Sequence, residues 1–194
     1  MAFSVLPTQA AWRHHEARDG FEVAYFERQG DGWRLHGCTT AVEDGQSWAV
    51  DYQLDVDANW ITRTARITSH SATGRRQVVL EADGSGNWTV NGEAAPHLTG
   101  CLDVDLESSA MTNTLPVHRL ALAAGQQESV PAAYVRAPDL RVERLEQTYL
   151  RVADDASGQN YDYAAPVFDV RCRLQYDDTG LVLDYPGLAS RVRS

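Results

Sequence analysis

Apolar and polar residues alternate along most of this chain with a period of two. The pattern is clearest over residues 21–25, 48–56 and 168–176, where most apolar positions are aromatic or β-branched. Successive side chains of a strand point to opposite faces, so this alternation predicts strands with one buried face. The two longer segments are expected to form long strands of an antiparallel sheet.

Turn-forming residues separate the alternating segments at regular intervals, which is typical of an antiparallel sheet or barrel. Segments 8–18 and 141–152 have some helix-forming residues, but their alternation and their Trp, Tyr and Val residues favour strands. One short helix is expected to begin near Thr112. The sequence therefore predicts a single all-β domain over residues 1–194, with at least ten strands and at most two short helices.

A strand with an acidic face is predicted within the segment 100–122. Residues 102–107 alternate between apolar side chains and three carboxylates. Asp103 and Asp105 share one face, about 7 Å apart by the rise of a strand. If this face lines a cavity, the two carboxylates can accept hydrogen bonds from sugar hydroxyls, bind a hard cation or act as acid and base, and one of them should have a raised pKa. The alternative is a solvated outer face of an acidic protein.

Polar residues that follow this strand extend the candidate site. Thr112 or Asn113 can cap the short helix, and Pro116 then lies in its first turn, where a missing N–H costs little. Asn113 is also a candidate donor to a ligand. Arg119 is placed either to clamp an anionic group or to form a salt bridge that offsets the burial of Asp103 or Asp105.

Net charge excludes several classes of partner. The chain carries 17 Lys and Arg against 27 Asp and Glu, a formal net charge of −10 at pH 7. A surface of this charge repels phosphate backbones and anionic lipid headgroups, so nucleic-acid binding and electrostatic membrane docking are not expected. The sequence shows neither a signal peptide nor a membrane-spanning run, which predicts a cytoplasmic protein without integral membrane association.

The usual signatures of cofactor and catalytic sites do not occur in the sequence. Cys38, Cys101 and Cys172 lack metal-ligand spacing, and neighbouring His14 and His15 would face opposite sides of a strand. There is no Gly-x-Ser-x-Gly elbow and no glycine-rich phosphate loop. We expect no metal, no cofactor and no enzymatic activity.

Several motifs resemble the putative glycolipid-binding family, formerly a domain of unknown function. The resemblance spans essentially the whole chain, and its most specific parts are the Asn-Thr-Leu-Pro stretch at 113–116 and the Asp-Tyr-Pro sequence at 184–186. Ala110-Met111 and His118 depart from the family pattern, which has Pro-Phe and a second Arg there. The other residues that fit the family pattern are Tyr52, Asp57, Trp60, Arg63, Gly100–Leu106, Arg119-Leu120, Tyr134-Val135, Pro138–Leu140, Gln147 with Tyr149, and Gly180–Val182.

This resemblance implies a large antiparallel sheet, or incomplete barrel, wrapped around a single short helix and remotely like lipoprotein-localisation factors. It also implies an acidic pocket, a glycolipid-type ligand and a homodimer, and a partner would also cover the exposed edges of so large a sheet. The alternative function is a carboxylate-dependent hydrolase acting on a glycolipid-like substrate. The predicted ligand-binding residues are Asp103, Asp105, Asn113, Arg119 and Tyr149.

Overall fold

The computed structural model describes residues 3–16, 18–155 and 158–192, and strands dominate it. One α-helix, α1, covers Thr114–Leu120, and short 3-10 turns cover Pro96–Leu98, Met111–Asn113 and Pro166–Phe168. The strands are β1 Gln9–His14, β2 Asp19–Gln29, β3 Gly32–Glu43, β4 Gln46–Val56, β5 Thr62–Ser71, β6 Gly74–Ala82, β7 Trp88–Val90, β8 Glu93–Ala94, β9 Asp103–Leu106, β10 Gln127–Ser129, β11 Ala132–Val135, β12 Val142–Leu145, β13 Thr148–Arg151, β14 Gln159–Ala165, β15 Val170–Tyr176, β16 Val182–Tyr185 and β17 Ala189–Arg191.

Fourteen of these strands form one antiparallel sheet, in the order β10-β13-β14-β15-β16-β17-β1-β2-β3-β4-β5-β6-β7-β8. Strand β1 pairs with β2 on one side and with β17 on the other, so it joins the two halves of the sheet. The sheet does not close into a barrel. A second sheet, β12-β11-β9, contains the parallel pair β9–β11. The predicted all-β fold is confirmed.

The long strands follow the alternation of the sequence. In β4, Trp48, Val50, Tyr52 and Leu54 are buried, and the residues between them are more exposed. Strands β2, β3 and β4 pair without a register shift over their whole lengths, which extends this buried face across the sheet. Burial on one face of many adjacent strands supplies the apolar surface on which the interior segments pack.

The sheet wraps around α1 and the turn before it. Met111 and Leu115 are fully buried and belong to the same hydrophobic cluster as Leu35 and Leu54 of the sheet. Val117, on another side of the helix, packs in a second cluster built largely from tyrosines of β13, β14 and β15. The single short helix is therefore the centre of the core.

The carboxyl group of Glu22 ties the interior segment to the sheet. Glu22 is fully buried on β2, and its Oε1 accepts hydrogen bonds from Tyr52 Oη at 2.7 Å and from Ser109 Oγ at 2.5 Å. Its Oε2 accepts a hydrogen bond from the Ala110 amide at 2.9 Å. Burial raises the pKa of Glu22, and these donors oppose that rise.

Two predicted strands differ from the observed ones. Segment 141–152 divides at Glu146 and Gln147 into β12 and β13, which belong to different sheets. The strand expected from residue 168 begins at Val170, because Pro166–Phe168 form a turn and Asp169 has a left-handed backbone with φ of 53°. In both cases a local turn interrupts an alternation that continues in the sequence.

We expect Glu22→Ala to lower the free energy of unfolding by about 2 kcal/mol or more, because three buried donors lose their acceptor and each unsatisfied group costs about 1–3 kcal/mol. Urea unfolding followed by tryptophan fluorescence measures the change. Glu27→Ala, an exposed position on the same strand, is the matched control and should change stability by less than about 0.5 kcal/mol. Equal effects of the two substitutions would show that the Glu22 contacts do not hold the segment.

Candidate functional site

Strand β9 carries Asp103 and Asp105 inside the protein. It lies between β11, with which it pairs, and Thr62, whose Oγ1 accepts a hydrogen bond from the Val104 amide at 3.2 Å. All four residues of β9 are buried, and the exposed fractions of Asp103 and Asp105 are 1% and 8%. The two carboxylates therefore do not lie on a solvated face, which was the alternative left open by the sequence.

Asp103 forms a buried ion pair with Arg119, which lies in the last turn of α1. Arg119 Nη2 donates to Oδ2 at 2.7 Å, and Arg119 Nε donates to Oδ1 at 3.1 Å. Burial raises the pKa of Asp103, and the hydrogen bonds and charge of Arg119 oppose that rise. Because both oxygens of Asp103 are used, the pair acts as a bidentate link between α1 and β9.

Asp105 forms no ion pair of this kind with any residue that the structure describes. Its Oδ1 accepts a hydrogen bond from Thr112 Oγ1 at 2.8 Å. Burial raises the pKa of Asp105 to about 6, and the nearby charges of Asp103 and Glu107 add to the rise. Asp105 is thus a carboxyl group that titrates close to neutral pH at the wall of a cavity.

The cavity beside Asp105 has a volume of about 240 Å³ and lies between β9, β11 and the strands β14 to β16. Its wall combines carboxyl, amide, hydroxyl and guanidinium groups with aromatic rings. The residues that give it this character are Arg18, Asp105, Glu107, Ser109, Asn113, Tyr134, Arg136, Tyr163, Phe168 and Tyr185. We call it the Asp105 cavity.

Two arginines supply positive charge to the Asp105 cavity. Arg18 is 7% exposed; its Nη1 donates to the Glu107 carbonyl oxygen at 3.0 Å, and its Nε makes no hydrogen bond to the described residues. The guanidinium of Arg136 lies over the rings of Tyr134 and Phe168, with centroid distances of 5.7 and 5.5 Å. Both guanidinium groups are also ion-paired, Arg18 with Glu43 at 3.6 Å and Arg136 with Glu143 at 3.0 Å. The wall therefore combines guanidinium groups with acidic groups.

Asn113 lies at the cavity wall, with Tyr149 behind it. Tyr149 Oη donates to Asn113 Oδ1 at 2.8 Å, and Tyr176 Oη donates to the Asn113 carbonyl oxygen at 3.1 Å. Asn113 is the N-cap residue of α1, but its side chain makes no capping hydrogen bond. The side chain is thus held by the tyrosine cluster rather than by the helix terminus.

The structure divides the predicted ligand-binding residues into two groups. Asp105 and Asn113 line the cavity, whereas Asp103, Arg119 and Tyr149 lie outside its wall and contact residues that position it. Arg18, Tyr134 and Phe168 also line the cavity and were not predicted. Tyr163 is also at the cavity wall, where its hydroxyl donates to Gln147 Oε1 at 2.9 Å.

The described residues contain no group of three or more His, Cys, Asp or Glu side chains arranged to hold a metal ion. His14 is buried at the end of β1, and burial together with the charge of Arg18 lowers its pKa to about 4. In the part of the chain that the structure describes, no helix has the length and apolar composition needed to cross a bilayer.

Comparison with known proteins places this chain among proteins of similar sequence and fold. The model of a family described as "Putative glycolipid-binding" matches residues 9–191. A crystal structure of a DUF1089 family protein from Pseudomonas aeruginosa is 35% identical, with a TM-score of 0.78 over 99% of this chain and 97% of that chain. Comparison with curated proteins gave no match.

A second solved structure shares the fold alone. It is a β-barrel-like protein of the domain of unknown function DUF1849 from Brucella abortus, 14% identical, with a TM-score of 0.54 over 98% of this chain and 96% of that chain. The fold is thus found in a protein of very different sequence.

Asp105→Asn should stabilise the protein at pH 7. A carboxyl whose pKa is raised from 3.8 to about 6 takes up a proton more readily when folded, so its stabilising contribution is full below about pH 3.8 and is lost as the pH rises through about 6. Asparagine keeps an acceptor for Thr112 Oγ1 and avoids this loss. At about 1.36 kcal/mol per pKa unit, we expect a gain of about 2–3 kcal/mol at pH 7 and little gain at pH 4.

Urea unfolding of both proteins between pH 4 and pH 8 measures this difference. Asp51→Asn, which removes an exposed carboxylate from β4, is the control and should show no comparable gain. A gain for Asp105→Asn that is the same at pH 4 and pH 8 would contradict the assignment.

Proposed function

This chain belongs to the putative glycolipid-binding family, and from that premise we propose that it binds the sugar headgroup of a glycolipid in the Asp105 cavity. The observation that carries the proposal is the composition of the cavity wall. It combines the Asp105 carboxyl, the guanidinium of Arg18 and the aromatic rings of Tyr134 and Phe168. The hydroxyl groups of a sugar form hydrogen bonds with carboxyl and guanidinium groups, and its apolar C–H face packs on aromatic rings.

The size of the cavity supports a ring-sized ligand group. About 240 Å³ is below the roughly 300–1,000 Å³ typical of sites that enclose a whole drug-sized ligand. We therefore assign one sugar ring to the cavity and leave the acyl part of the ligand outside it.

Binding without catalysis is the function that these carboxylates support best. Glycoside hydrolysis in most families requires two carboxyl groups that flank the scissile bond. Asp103 is held by Arg119 through both of its oxygens and does not line the cavity, so the pair expected from the sequence is not available there. Glu107, the other carboxylate of the wall, is also engaged, because its Oε2 accepts a hydrogen bond from the Ala137 amide at 2.7 Å and its Oε1 lies 3.6 Å from Arg136 Nη1. We propose that the protein retains its ligand unchanged; the homodimer and the cytoplasmic location expected from the sequence stay predictions.

Titration calorimetry with short-chain alkyl glycosides, below their critical micelle concentrations, tests the binding site. We expect Asp105→Asn to weaken binding at pH 7.5 by about ten- to a hundredfold, because a charge-assisted hydrogen bond contributes about 1.5–3 kcal/mol. Asp51→Asn has the same change of charge at an exposed position and should bind like the wild type. If both variants bind the glycosides as the wild type does, Asp105 does not contact the sugar.

Native mass spectrometry of the purified protein, followed by lipid extraction, tests whether the ligand is changed. We expect the bound glycolipid to be released intact, with the same mass after prolonged incubation with the protein. Recovery of the free sugar or of a truncated lipid in proportion to protein concentration would favour the hydrolase instead.

A further inference from the structure

A second cavity of about 520 Å³ lies at the opposite end of β2 from the Asp105 cavity. Trp33, Trp60 and His118 line it, and Phe3 to Leu6 also contribute to its lining. We call it the tryptophan groove. Its volume falls within the roughly 300–1,000 Å³ of small-molecule sites, and Val5 at its wall is 84% exposed. An exposed valine among partly buried aromatic rings marks an apolar surface that the described residues leave uncovered.

Stacked aromatic rings form the floor of the groove. The Trp60 and His118 rings are 3.8 Å apart between centroids and nearly parallel, at 20°. His118 Nε2 donates to the Thr179 carbonyl oxygen at 2.9 Å. Burial lowers the pKa of His118 to about 4, so the imidazole is neutral at pH 7. The floor is therefore uncharged and largely apolar.

Trp60 is held at this floor against its backbone preference. It has a left-handed backbone, with φ of 63°, which is rare for a bulky side chain. The Asp57 carboxylate fixes the loop by accepting hydrogen bonds from two backbone amides, those of Asn59 at 2.9 Å and Ile61 at 3.1 Å.

Two other loops of the chain have the same construction but carry glycine at this position. In the loop after β15, Asp177 Oδ1 accepts from the amides of Thr179 and Leu181 at 2.9 and 3.0 Å, and the left-handed residue is Gly180. In the loop after β6, Asp83 has the same role, and the left-handed residue at the position that corresponds to Trp60 is Gly86; Gly84 of this loop is left-handed as well. Glycine adopts this left-handed backbone without steric strain, so the loop conformation itself does not require tryptophan. We attribute the presence of Trp60 to the contacts that its indole ring makes.

The charge of the groove is the reverse of the charge of the protein. None of the described residues that line the groove is a carboxylate, although the formal net charge of the chain is −10. Arg28 is the one charged side chain among the described lining residues, and its guanidinium lies 4.9 Å from the centroid of the Trp33 ring. Within the described residues, Arg28 forms no ion pair. A partner with one negative charge and an apolar body complements this surface.

We propose that the tryptophan groove binds a long-chain carboxylate, with the carboxylate at Arg28 and the hydrocarbon chain along Trp33 and Trp60. The groove has too few hydrogen-bonding groups to satisfy the hydroxyls of a sugar. Among the described lining residues, Ser4 Oγ already donates to Asp178 Oδ2 at 3.1 Å and His118 Nε2 donates to the Thr179 carbonyl oxygen, which leaves the guanidinium of Arg28. An anionic membrane surface is disfavoured by the net charge of the protein, so the occupant is a dispersed amphiphile.

This site is distinct from the Asp105 cavity. Arg18, at the wall of that cavity, directly precedes β2, and Arg28 is close to the other end of the strand. Arg18 and Arg28 are about 33 Å apart along an extended strand, whereas α1 brings Asn113 of the cavity and His118 of the groove within about 7–8 Å of each other by helix rise. The two sites nevertheless share no lining residue. Ligand binding at one site can therefore be measured without the other.

Dodecanoate, below its critical micelle concentration, is the probe, measured by titration calorimetry and by tryptophan fluorescence. Arg28→Gln should weaken dodecanoate binding at least about tenfold and leave the binding of dodecanol unchanged. Arg75→Gln removes an exposed arginine of β6 outside the groove and should bind as the wild type does. Trp60→Gly suits the left-handed backbone, and we expect it to weaken binding of both probes.

Three results would overturn the proposal. They are no dodecanoate binding to the wild type, equal weakening by Arg28→Gln and Arg75→Gln, and binding to vesicles of anionic phospholipid rather than to free dodecanoate. Asp105→Asn should bind dodecanoate as the wild type does. If Asp105→Asn loses alkyl-glycoside binding but keeps dodecanoate binding, the two sites are independent. If the wild type binds dodecanoate but no alkyl glycoside, the proposed sugar site is wrong and the groove is still supported.

Discussion

The structure depends on the burial of a polar backbone segment inside a curved sheet. Residues 107 to 113 connect β9 to α1 without forming a strand, so the sheet must supply partners for their polar groups. Glu22 accepts hydrogen bonds from Ser109 and Ala110, and the hydroxyl of Tyr176 donates to the Asn113 carbonyl. These contacts fix the position of the helix. The apolar side chains of the helix in turn pack against the buried face of the sheet.

The same constraint explains the acidic interior. Asp103 and Asp105 are two residues apart on one strand, but the chain supplies a cation to only one of them. The Asp103–Arg119 pair is compensated and structural. Asp105 keeps an uncompensated carboxyl at the cavity wall, at a cost in stability at neutral pH. A buried carboxyl that destabilises the fold and faces a cavity is typical of a functional site, where a role in ligand binding explains its presence.

Much of the fold could be predicted because its strands alternate in the sequence. The long strands β2 and β4, and the single helix near Thr112, follow from local periodicity and turn residues. The same rule missed the break between β12 and β13, since alternation does not reveal when a strand changes sheets. It also could not decide whether the acidic face of β9 is solvated, because that depends on Thr62 and β11, which are distant in sequence.

The candidate site was only partly predictable for the same physical reason. Asp105 and Asn113 lie in one short segment, and their chemistry is visible there. Arg18 and Phe168 reach the cavity from segments that lie far apart in the sequence, and nothing in their local sequence marks them as neighbours.

The pairing of β1 with both β2 and β17 affects how the chain folds. The two halves of the sheet can form from local hairpins, but their junction must wait for a strand about 180 residues away, so closing this seam is the slow, high-contact-order event of folding.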